Sequence, residues 1–200
     1  MTTFARHGYE RASIAHVCAE AGIARGTLYQ YFDDKRSLFR AVLNEYAQRI
    51  AAYMQPATPA EFGAQIDRQA IEQFLTARFE RIYALIHAER EVYTILLKEG
   101  LAKNAETEDL VEEMRCAFVA LMVGEMRIAQ GLGLIVVEDP EFAAGFVLGG
   151  IFHTALIGIL GSERPTAPRE LAEKTTQLVL GALGVRPAAA THDESTETKP

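Results

Sequence analysis

The chain has 200 residues, 49% of them hydrophobic and 24% charged, a balance that suits one or two folded domains and excludes a disordered polymer. Its 20 lysines and arginines against 27 acids give a net charge of −7, which over the whole chain argues against the basic surface of a nucleic-acid-binding protein. The charge is uneven, however: residues 1–50 hold seven bases (Arg6, Arg11, Arg25, Lys35, Arg36, Arg40, Arg49) and five acids (Glu10, Glu20, Asp33, Asp34, Glu45), a net +2, and the other 150 residues hold 13 bases and 22 acids, a net −9. Cys18 and Cys116 lie far apart, and His7, His16, His87, His153 and His192 show no ligand spacing, so no disulfide framework, metal site or cofactor is expected. The opening MTTFARHGYE has no apolar core of a signal peptide, and the expected compartment is the cytoplasm.

Glycines and prolines punctuate a chain that otherwise reads as helix, without a sustained alternating run, so the expected class is all-α. Residues 4–53 form a block of short helical segments, and Pro56 and Pro59 break the pattern. Ile66, Ala70, Ile71, Phe74, Leu75, Arg78, Phe79, Ile82, Leu85 and Ile86 then recur at three- and four-residue intervals, the spacing of one long helical face. Shorter helices are expected from Glu89 to Leu101 and from Thr107 to Ala129, the latter with Leu110, Val111, Met114, Phe118, Leu121 and Met122 on its apolar side. Asp139-Pro140 reads as an N-cap with proline at the first helical position. The stretch that follows, Phe142–Ser162, has no Asp, Glu, Lys or Arg and is long enough to span a bilayer. Flanks without Lys/Arg asymmetry, His153, Thr154 and five internal glycines favour a helix buried on most sides instead, and no membrane partner. Gly161 and Pro165 end it, and a last helix from Thr166-Ala167-Pro168 places Leu171, Thr175, Leu178, Val179 and Ala182 on one face. Residues 187–200 have no apolar side chain larger than alanine and are expected to be disordered.

Residues 13–32, SIAHVCAEAGIARGTLYQYF, break into two helical pieces around a glycine. Ser13 is an N-cap; Ile14, Val17, Cys18 and Ala21 lie on the buried side; Gly22 can take the positive φ of a turn; Ile23 and Leu28 plug the angle. This is the logic of a helix-turn-helix, whose second helix presents Arg25, Thr27, Tyr29, Gln30 and Tyr31, rich in donors and nearly free of acids. The run Phe4-x-x-x-Gly8-Tyr9, Ser13-Ile14, Ala19-Glu20-Ala21-Gly22-Ile23-x-x-Gly26-Thr27-Leu28-Tyr29-x-Tyr31-Phe32-x-x-Lys35-x-x-Leu38 resembles the N-terminal domain of the TetR family of transcriptional regulators over about the first 50 residues.

That resemblance implies a three-helix DNA-binding head, a linking fourth helix, and a larger helical body that binds a ligand and dimerises, hence domains at 1–53 and 54–186 before the 187–200 tail. It implies DNA contacts from Ser13, Arg25, Gly26, Thr27, Tyr29, Gln30, Tyr31 and Lys35, with Arg25, Thr27 and Gln30 reading bases and Lys35 clamping a phosphate. Three positions depart from the pattern: Ala24 replaces the serine usual before the recognition helix, Asp33-Asp34 puts two acids beside Lys35, and the first helix is short at its start, so it is expected to be truncated. Effector-pocket candidates in the body are Tyr83, His87, Tyr93, Phe118, Met122, Met126, Phe152 and His153, an apolar set with a few polar tips, with Glu125 and Arg127 either lining the pocket or pairing across an interface. Gly145, Gly149, Phe152, Leu156, Leu171 and Leu178 are the expected dimer interface. The expected function is a repressor that leaves a near-palindromic double-stranded operator when a small apolar effector binds its homodimer. The alternative is a helical ligand-binding dimer with weakened or lost DNA binding. Without a nucleophile elbow, phosphate loop or histidine metal motif, no enzyme activity is expected.

Overall fold

The computed structural model describes residues 2–55, 66–102, 104–161 and 163–185, and every regular element among them is a helix. The junction expected at Pro56 and Pro59, and the 187–200 tail, lie outside the described residues.

The head opens with α1 (Thr2–Arg11), which is interrupted at Gly8, where φ 71° and ψ 170° are open to glycine and strained for any other residue. The kink turns Tyr9 inward. Phe4, Tyr9 and Phe39 form an aromatic core, with Phe39 5.2 Å from Phe4 and 5.1 Å from Tyr9 between ring centroids. Ser13 caps α2 (Ile14–Ala21) by accepting from the His16 N–H at 3.2 Å, and Gly22 closes it in the left-handed conformation, φ 66°. The Ile23 N–H bonds back to the Cys18 carbonyl, which aims the side chain outward: Ile23 is 41% exposed instead of wedged between helices, and Leu28 alone fills the angle. After α3 (Arg25–Tyr29), Asp34 and Ser37 form a reciprocal capping box for α4 (Lys35–Tyr53). The Ser37 N–H on the Asp34 carboxylate holds that group below the usual carboxylate range.

Asp67 caps α5 (Arg68–Ala88); α6 (Arg90–Ala102), α7 (Glu108–Gly131), α8 (Pro140–Ala155) and α9 (Pro168–Ala182) follow. The most extensive packing joins α5 to α9, where the Thr76 and Thr176 hydroxyls pair at 3.1 Å and Tyr83 meets Thr175 at 2.8 Å. α4 packs on both α5 and α7, so the linking helix is embedded in the body it links. α8 has the Asp139 cap and first-turn Pro140 expected of it, and runs into a π-helical turn, Leu156–Leu160. This segment is long and apolar enough to cross a membrane by length and composition. Its burial is one-sided: Ala144, Val147, Leu148, Ile151, Ala155 and Ile159 face the body, while Phe142, Phe146 and Ile157 are 72%, 66% and 60% exposed. The expectation of burial on most sides is thus corrected, because α6, α7 and α9 cover the helix from one side.

Head and body are clasped where α1 packs on α6. The kink at Gly8 removes the helical partner of the Tyr9 N–H, and the buried Glu99 of α6 takes it at 2.9 Å while its other oxygen accepts from Thr107 at 3.0 Å. Arg36 of α4 donates to the Glu106 carbonyl at 2.9 Å and pairs with Asp109. Burial, with Glu106 beside it, pushes the Tyr9 phenol up. Glu99→Ala leaves two buried donors without acceptors, and chemical denaturation is expected to show a loss of about 2–4 kcal/mol; a loss below ~0.5 kcal/mol would remove the clasp from this account.

Candidate nucleic-acid interface and effector cavity

α3 is held by one buried side chain, Leu28, and by Thr27 and Leu28 N–H bonds to the Ala24 carbonyl. Ala24 supplies no side-chain cap, as its identity requires. Arg25, Gly26, Thr27, Tyr29, Gln30 and Tyr31 are all exposed, Tyr31 to 75%, so the sequence-predicted reading set stands on one short solvent-facing segment. Ser13 is half-buried at the start of α2. Lys35 sits differently from a free phosphate clamp: its ammonium lies 4.2 Å from the Tyr9 ring centroid and donates to the Tyr9 and Glu10 carbonyls at 3.0 and 3.2 Å. A cation there meets the carbonyl end of α1, and one of its three N–H donors remains for an outside acceptor.

A cavity of about 130 Å³ lies in the body between α4, α5, α7, α8 and α9. Tyr46, Ile50 and Met54 form its α4 wall, Leu75, Phe79, Ile82 and Ile86 its α5 wall, and Val147, Leu148 and Ile151 its α8 wall. Of the sequence-predicted set, Phe118, Met122, Met126 and Phe152 line it, as does Glu125. Tyr83 and Tyr93 do not: the first is spent on Thr175, the second stacks on Phe152 at 5.7 Å and donates to its carbonyl. Burial pushes both phenols up. His87 and His153 face solvent. Arg127 pairs with Glu141 at 2.6 Å.

Two polar groups break the apolar lining. Arg78, 7% exposed, donates to both oxygens of Glu125 at 2.6 Å and to the Gln55 carbonyl at 2.7 Å, with its guanidinium 4.3 Å from the Phe74 centroid. Gln55 follows α4 directly, so Arg78 holds the carbonyl end of the linking helix. The buried Tyr46 hydroxyl has no hydrogen-bond partner among the described residues, and its phenol is pushed up by burial and then by the Glu89 charge.

Residues 1–42 match the family model described as "Bacterial regulatory proteins, tetR family". The head, over residues 1–42, therefore matches the TetR-type DNA-binding domain. The chain is 27% identical to the HTH-type transcriptional repressor BepR of Brucella suis over 164 residues, covering 79% of this chain and 77% of the relative. Two solved structures share the fold: the fatty acid degradation regulator FadR of Bacillus halodurans, TM-score 0.71 at 22% identity over 90% of this chain and 94% of that one, and FadR of Bacillus subtilis in complex with stearoyl-CoA, TM-score 0.68 at 18% identity over 88% and 91%.

Sequence reasoning missed Tyr46, Ile50, Met54 and Arg78 as cavity residues. The signals were present: Tyr46 and Ile50 lie four residues apart on the linking helix, with Met54 four further on at its C-cap, and Arg78 falls on the apolar helical face of Ile71, Leu75, Phe79 and Ile82. Arg78→Ala strands the Glu125 carboxylate against apolar walls and frees the Gln55 carbonyl, whereas Glu125→Ala leaves Arg78 two other neighbours. Urea unfolding is expected to show about 2–4 kcal/mol lost in Arg78→Ala and less in Glu125→Ala; equal or reversed losses contradict this reading of the pair.

Proposed function

We propose that this protein is a ligand-released repressor: a homodimer whose heads, residues 1–53, bind a near-palindromic operator, and whose bodies, from residue 54 on, let go of it when a small apolar molecule enters the cavity, in the cytoplasm. The observation that carries this is the double duty of α4. Its first turn supplies Lys35 beside the recognition segment, and its last two turns supply Tyr46, Ile50 and Met54 to the cavity wall. A ligand that prefers one setting of that wall therefore prefers one setting of the head. The repressor activity in the name of the Brucella suis relative and the apolar acyl chain of the stearoyl-CoA in the Bacillus subtilis structure support the two halves of this reading.

In the head, Arg25, Thr27 and Gln30 read base edges, Gly26 lets the backbone approach, and Ser13, Tyr29, Tyr31 and the third donor of Lys35 meet the phosphate backbone or thymine methyls. The second copy covers the exposed face of α8 and α9, where Phe142 and Phe146 stack at 6.5 Å and Leu178 is 75% exposed. Gly149 is exposed and Gly145, Phe152 and Leu156 are half-buried on the same helix, open to that partner. Leu171 lies inside the protomer against Gly158, and supports the face from behind. The uncapped start of α3 at Ala24 favours a weaker head, which the test also measures.

Gel-shift titration against the DNA upstream of the protein's own gene and its neighbours is expected to show two chains per site and an affinity that falls steeply with salt. Arg25→Ala is expected to relax base preference at one position of each half-site, at about 1–3 kcal/mol of discrimination. Equal affinity for all sequences would contradict the regulator reading and leave a ligand-binding dimer.

A further inference from the structure

We propose that the cavity takes an elongated, uncharged, mainly apolar molecule whose hydrogen-bond acceptor, a carbonyl or ether oxygen, is held by the Tyr46 hydroxyl. This rests on reading the cavity as the effector site. Tyr46 is 2% exposed, lines the cavity, and carries one of the two buried side-chain oxygens without a partner among the described residues. A buried hydroxyl without a partner is disfavoured and uncommon, so a native one calls for an occupant that completes it. The other such oxygen, Glu89 Oε2, belongs to a carboxylate that already takes Arg49 through Oε1. Its charge and the burial of the ring keep the Tyr46 phenol protonated and therefore a donor.

The shape follows from α4. Tyr46, Ile50 and Met54 stand at i, i+4 and i+8, so the wall runs about 12 Å along the helix. Tyr46 is the member of that wall nearest the head in the chain, and the Arg78–Glu125 pair lies beside Gln55, past the other end of α4. The charge preference follows from that pair. Both carboxylate oxygens and the Gln55 carbonyl already hold the guanidinium, so an anion must evict Glu125 and a cation must evict Arg78. A neutral chain with one acceptor at the Tyr46 end leaves the pair closed and satisfies the hydroxyl. Because the ligand's polar bond is then made to α4 itself, it bears directly on the helix that carries the head.

The test uses the full chain, with hexan-2-one and hexanoate as probes in titration calorimetry against the unmodified protein and Tyr46→Phe. The ketone is expected to bind the unmodified protein more tightly than the acid does, and to lose about three- to tenfold in affinity in Tyr46→Phe. Without ligand, Tyr46→Phe is expected to melt at or above the temperature of the unmodified protein, since it removes an unsatisfied group. A ketone affinity unchanged in Tyr46→Phe, tighter binding of hexanoate, binding of neither probe, or a Tyr46→Phe protein less stable without ligand would each overturn the assignment, the last by showing that the hydroxyl already serves Glu89. A ketone that binds through Tyr46 yet leaves operator affinity unchanged sustains the assignment and removes the effector reading instead.

Discussion

One helix carries the hydrophobic core continuously from the head into the body. α4 spans 19 residues, about 28 Å, and buries Leu38, Phe39 and Leu43 near its start and Tyr46 and Ile50 further along, each nine-tenths or more removed from solvent. Phe39 completes the aromatic core of the head; Tyr46 and Ile50 wall the cavity of the body. Interiors packed this densely shift between discrete arrangements and do not stretch, and the proposed function requires that a change of setting at the cavity be carried along the helix to the head. The capping box at Asp34–Ser37 and the grip of Arg78 on the Gln55 carbonyl secure the two ends of that lever.

The lever does not act alone, because the head touches the body at a second place. Glu99 reaches the backbone of α1 at its kink, and Arg36 reaches the corner between α6 and α7. The two attachments give the head a hinge geometry: α4 enters from the cavity side and the Glu99 clasp holds α1 from the other. Lys35 ties the two attachments together, since it starts α4 and donates to the carbonyls that end α1.

How far the sequence revealed this varies with the range of the interactions involved. The head was legible because its signals are local: Ser13 and Asp34 as caps, Gly22 as the left-handed turn, Leu28 as the buried residue of α3. Ile23 was misplaced by a single backbone bond to Cys18 that no side-chain pattern encodes. The cavity was half legible. Phe118, Met122 and Met126 follow from helical spacing on α7, but spacing cannot say which neighbour an apolar face meets, and Tyr83 turned out to face Thr175 of α9. The kink at Gly8 and the reach of Glu99 across 90 residues left no local trace. The net charge of −7 was the least informative number, because the exposed recognition segment bears Arg25 and no acid.

The central claim is that occupancy of the cavity sets the affinity of the head. Met126→Trp fills the cavity from α7 and changes no residue of α4 or of the exposed segment around Arg25. With helical content retained by circular dichroism, the account predicts operator affinity at least about tenfold weaker than that of the unmodified chain, a shift of ~1.4 kcal/mol. An operator affinity unchanged in a folded, cavity-filled variant would contradict it.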